Sequence, residues 1–181
     1  EKFTYRDYSR WPDEERWEII DGIAYDMSPA PSFRHQSILA KLSMIVGTIL
    51  KGKPGQYGFA PTDIVLSETD VVQPDLFIVC DRSKITEKNI QGAPDVVFEI
   101  ISPHTSKKDR WEKRALYEKF GVREYVIVHP EAKYAERFLL GEDGAFDRGE
   151  ALDAKDTLTL KAVAGLEIPL SEVFEIDFLD S

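Results

Sequence analysis

With 181 residues, 43% hydrophobic and 31% charged, the chain has the balance of a globular protein that builds its own core, which excludes disordered and fibrous classes. A single cysteine, Cys80, excludes an internal disulfide framework and fits a reducing compartment. The net charge of −10 opposes nucleic acid and anionic membranes at long range, so contact with a phosphate backbone would need positive charge gathered in one place.

No internal repeat, low-complexity tract or linker divides the sequence, and one domain over 1–181 is predicted. The opening stretch is charged (Glu1, Lys2, Arg6, Asp7) and no run approaches about 18 apolar residues, so a cytoplasmic protein with no membrane partner is expected. The chain does not begin with Met, so a few leading residues are expected to precede it.

Residues 16–20 and 23–27 read as strands joined by Asp21-Gly22, a pair suited to a two-residue hairpin turn because glycine accepts positive φ. From 33 to 50, Ile38, Leu39, Leu42, Ile45, Val46 and Ile49 recur at helical spacing, and Gly52, Pro54 and Gly55 end the pattern. Residues 62–66 and 76–80 read as strands. The run 95–101 is apolar almost throughout, which marks a central strand covered on both faces. A second helix is predicted over 106–120 with Gly121 at its stop, then strands over 124–128 and 134–140, a small strand over 157–160 and a helical turn over 170–174. This order predicts an α/β fold: a mixed central sheet flanked by helices on both faces.

Two acids stand where such strands should be apolar. Asp75 follows Pro74 at the head of one strand, and Glu99 lies inside another. A buried, unpartnered carboxylate costs several kcal/mol, so each calls for a cation, a base or a metal. If the two strands are neighbours, the carboxylates converge, and with the backbone carbonyl of Ile100 they would suit Mg²⁺, which takes one or two protein carboxylates and completes its shell with water and phosphate oxygen.

On the second helix, Lys113, Leu116 and Phe120 fall within about 40° of Asp109 on one stripe. Leu116 and Phe120 must face the core, so Asp109 and Lys113 are aimed inward, with Glu99 the expected partner of the lysine. On the first helix, His35 shares the stripe of Leu39, Leu42 and Val46. Glu18, on the hairpin, is a candidate third acid. Such a set suits phosphodiester hydrolysis: carboxylates hold a divalent ion while a lysine orients the water or offsets developing charge. Positive charge is also local, with seven Lys or Arg against three acids between 107 and 123.

Taken together, WEIIDG, a Pro and a His at the first helix, QPDLFIV, PDVVFEIISP, DRWEKRALYEKFGVREYVIVHP and IPLSEVF resemble the Uma-two family of the PD-(D/E)XK nuclease superfamily over nearly the whole chain. The resemblance implies a restriction-endonuclease-like core, dependence on Mg²⁺ or Mn²⁺, and a DNA substrate. It places the Pro-Asp of the motif on Pro74-Asp75 and its acid on Glu99. Two residues after Glu99, where the motif has lysine, this chain has Ile101. Related families carry that lysine on the following helix, which implies Lys113, with Lys107 and Lys108 as alternatives. Cleavage of both strands of a duplex favours a homodimer. The alternative reading, motivated by Ile101 and the acidic charge, is a non-catalytic nuclease-fold module that binds nucleic acid or a protein.

Overall fold

The computed structural model describes residues 2–12, 14–27, 30–102 and 107–175, and in 107–109 the backbone alone. A single turn, α1 (Tyr5–Tyr8), begins at a reciprocal cap between Thr4 and Asp7. The hairpin of β1 (Trp17–Ile20) and β2 (Ile23–Asp26) closes over Asp21-Gly22, where φ is 49° and 75°. Two successive positive φ values match the right-handed twist of the flanking strands. Helix α2 (Phe33–Leu50) is capped by Ser32, whose hydroxyl accepts the His35 N–H, and it buries the predicted stripe of His35, Leu39, Leu42 and Val46.

The chain continues through β3 (Gln56–Phe59), β4 (Ile64–Ser67), β5 (Asp70–Val72), β6 (Leu76–Val79), β7 (Ile90–Gln91) and β8 (Val96–Ile100). Then come α3 (Lys107–Lys119), β9 (Glu124–His129), β10 (Tyr134–Leu139), β11 (Glu150–Asp153), β12 (Thr157–Thr159), β13 (Glu167–Pro169) and α4 (Leu170–Phe174). Six strands form the central sheet in the order β11-β10-β9-β8-β6-β3, and within it β8 and β9 run parallel. A parallel pair needs a crossover, and α3 supplies it.

Side chains alternate across this sheet. Leu76, Ile78, Val96, Phe98, Ile100, Val126 and Val128 pack with α2 on one face. Phe77, Val79, Val97, Tyr125 and Ile127 pack with Leu116 and Tyr117 of α3 on the other. The α/β class and the helices on both faces are therefore as expected, and β8 is a central strand covered on both sides.

The architecture differs from the single predicted sheet in one respect that matters for the site. The hairpin belongs to a second, five-stranded sheet of order β2-β1-β5-β4-β7. The chain leaves this sheet after β5 and enters the central one at β6 through Gln73-Pro74-Asp75. Proline has no N–H, so no ladder can continue through Pro74, and the backbone turns there.

At the sheet edge, Gly58 of β3 lies opposite Phe77 of β6. A Cβ at Gly58 would lie 2.5 Å from the Phe77 ring, which is buried and would have to shift. Gly58→Ala is expected to destabilise the protein by about 1–3 kcal/mol through overpacking. The measurement is the urea midpoint at constant m-value; an unshifted midpoint would mean the ring has room to move.

Candidate active site

The corner and the central strand bring the acids together. Asp75, just ahead of β6, accepts the Ile100 N–H on Oδ2 at 2.6 Å, and its Oδ1 lies 3.1 Å from Nε2 of His35 on α2. The Glu99 side chain points to the opposite face of β8 from Phe98 and Ile100, towards α3. There its Oε1 accepts from Lys113 Nζ at 2.8 Å and from the Tyr117 hydroxyl at 2.7 Å. Lys113 Nζ also lies 2.9 Å from Oε1 of Glu18 on β1. Glu18 in turn accepts the Gln73 N–H at 2.8 Å. Lys113 thus ties the two sheets together across a largely buried junction, its side chain 14% exposed against 3% for Glu18 and 13% for Glu99.

Burial pushes the Glu99 carboxyl up to about 7, with Lys113 opposing the rise and Asp75 and Glu18 adding to it. For Lys113, burial pulls the other way, but the carboxylates of Glu18 and Glu99 outweigh it and hold the ammonium well above its usual range. Burial, followed by the nearby Glu99, raises the Tyr117 phenol, which therefore stays protonated and donates. The lysine here is a fixed positive charge with N–H donors and does not release its proton near neutral pH.

Glu18, His35, Asp75, Glu99, Ile100 and Lys113 all line one cavity of about 300 Å³. Asp109, and the alternative lysines Lys107 and Lys108, have side chains outside the described residues. Sequence reasoning did not single out Tyr117 or Gln73. Tyr117 follows Lys113 by four residues and so shares its helix face, a signal that was present. Gln73 had no local signal, because its role comes from the corner between sheets.

Both protein donors to Glu99 act on Oε1, and Oε2 takes no hydrogen bond from the described residues. Among the described residues no three His, Cys, Asp or Glu converge into a metal cage. Two carboxylates bordering an open cavity are the donor set of a hard ion that keeps much of its water, and they fit Mg²⁺ or Mn²⁺ better than a structural zinc.

The family described as "Uma2: Putative restriction endonuclease" matches residues 5–171. The chain belongs to this family. A protein of Synechocystis sp. described as uncharacterized is 25% identical over 177 residues, which span 96% of this chain and 92% of that one. A crystal structure from Anabaena variabilis, titled a putative nuclease belonging to DUF820, superimposes with a TM-score of 0.79 at 17% identity, covering 95% of this chain and 97% of that one. The Uma2 match and the fold shared with the Anabaena protein both extend along nearly the whole chain. Among the described residues no helix is long and apolar enough to cross a membrane.

Proposed function

We propose that this protein is a divalent-metal-dependent endonuclease that hydrolyses DNA phosphodiester bonds, acting as a single cytoplasmic domain that pairs into a homodimer. The observation that carries the reading is the convergence of Asp75, Glu99 and Lys113 on one cavity beside β6 and β8. Asp75 and Glu99 would hold Mg²⁺ or Mn²⁺, with the Ile100 carbonyl as a further ligand. When bound, the ion supplies Lewis acidity towards a phosphate and a more acidic water.

The surrounding residues have defined tasks. The Ile100 N–H and His35 fix the orientation of Asp75, while Tyr117 and Lys113 fix Glu99. Lys113, held protonated between Glu18 and Glu99, does not take a proton from the attacking water. It presents N–H donors beside Glu99 and offsets the negative charge that gathers on the phosphate as the bond breaks. A lysine two residues after Glu99 is absent, since Ile101 stands there, and Lys113, whose ammonium lies 2.8 Å from Glu99 Oε1, would serve in its stead. The DNA substrate is supported by the family and by the cluster of Lys and Arg between 107 and 123.

The test is nicking of supercoiled plasmid by the purified chain at low salt with Mg²⁺, Mn²⁺ or EDTA. Cutting with either ion and none with EDTA is expected. DNA binding with no cutting under any metal would instead favour a non-catalytic nuclease-fold module, a reading that draws on Ile101 and on the engagement of Lys113 by two acids.

A further inference from the structure

The cavity holds positive charge that the nuclease reading leaves unused. Its described lining includes three cations, Arg16, Arg110 and Lys113. Lys113 is already paired with Glu18 and Glu99. The side chain of Arg16, just ahead of β1, makes one hydrogen bond among the described residues: its Nε donates to Gln73 Oε1 at 3.2 Å. Gln73 is itself held by Tyr8, Asp63 and Glu18, so the arginine is anchored at its neck, and its terminal nitrogens take no partner among the described residues. Arg110 sits in the early turns of α3 and forms no ion pair among the described residues, and its Nε is buried without a hydrogen-bond partner there. A buried guanidinium donor without an acceptor is costly unless something else supplies one.

We infer that Arg16 and Arg110 form a two-point clamp for backbone phosphates of a nucleic-acid strand entering this cavity. The inference rests on the nuclease reading for the identity of the strand. Three features support it. The guanidinium fork matches phosphate oxygens in a bidentate way that an ammonium does not. The two arginines come from different parts of the chain, one just ahead of β1 and one on α3, and both line the cavity that Asp75 and Glu99 line. The cavity also holds five acids, Glu18, Asp26, Asp75, Glu99 and Glu112. A polyanion meets repulsion there unless cations that are not already committed receive it.

The experiment is fluorescence anisotropy of a labelled 25-base-pair duplex in EDTA from 50 to 200 mM salt, with plasmid nicking in Mn²⁺ run on the same proteins. Arg16→Gln and Arg110→Gln are each expected to weaken binding about ten-fold or more at low salt. Each should also reduce the slope of log affinity against log salt by about 0.9, one phosphate contact. The Arg→Lys variants keep the charge, and so most of the slope, but lose the fork and part of the affinity. This split separates a phosphate contact from a folding defect, which thermal melts report independently.

Wild-type nicking with affinity and slope unchanged in both Gln variants would overturn the clamp and leave the nuclease reading standing. Arginine-dependent binding without nicking would overturn the nuclease and keep the clamp. Failure of the wild type to bind the duplex at 50 mM salt would overturn both.

Discussion

Glu99→Gln is expected to lower metal-dependent nicking by more than about a hundred-fold, beyond what loss of an outer partner of a metal ligand usually costs. The fold should survive. The amide oxygen of Gln can still accept from Tyr117 and Lys113, which both bind Oε1 of Glu99, and Lys113 keeps Glu18 as its counter-charge. What disappears is one of the two negative charges available to a divalent ion. Calorimetric titration with Mn²⁺ should therefore lose its heat signal in this variant while the thermal melt in EDTA is retained. Undiminished nicking by Glu99→Gln would remove this residue from the site; lost nicking together with a collapsed melt would make its role structural.

Lys113→Met is expected to cost about 3–5 kcal/mol of stability in metal-free buffer, the usual penalty for stranding buried charge by removing one partner. Glu18 and Glu99 would then share an interior junction with no cation between them, and the link across the two sheets would be gone. Met approximates the lysine stem in volume, so the loss reports charge rather than a cavity. Urea unfolding measures it. Adding Glu18→Gln to Lys113→Met should recover part of the loss, because one of the stranded charges is removed; non-additivity of this kind marks residues in one network. A single variant as stable as the wild type would mean that water already serves the two carboxylates. Nicking by Lys113→Met should fall along with stability, and the double variant should regain stability without regaining activity.

The two longest helices were legible because their signals are local. Helix α2 lies over 33–50 as predicted, since a stripe of Ile38, Leu39, Leu42 and Val46 and the stop around Gly52 and Pro54 need no distant partner to be read. The hairpin turn was equally local, with Asp21-Gly22 adopting the positive φ values that its composition favours. Asp75 and Glu99 were visible as violations: an acid inside an apolar strand is conspicuous on physical grounds alone.

The strands β3, β5, β7, β11 and β13 were not predicted. They run from two to four residues, and pieces so short acquire their conformation from the strand beside them rather than from their own pattern. Gly58 further disguises β3, because its absent side chain makes sense only against the ring of Phe77 across the ladder.

The candidate site was legible residue by residue: two misplaced acids, a helix stripe that turns Lys113 inward, an imidazole on the buried face of α2, and the family motif on Pro74-Asp75 and Glu99. How these parts meet follows from the packing of distant segments. The change of sheet at Gln73-Pro74-Asp75 places Glu18 against a lysine 95 positions away, sets His35 on Asp75, adds Tyr117 to Glu99 and leaves Arg16 and Arg110 facing the same cavity. Side-chain periodicity reports which way a residue points relative to its own element. It carries no information about which other element stands opposite, because that depends on strand pairings between distant segments whose specificity lies in packing.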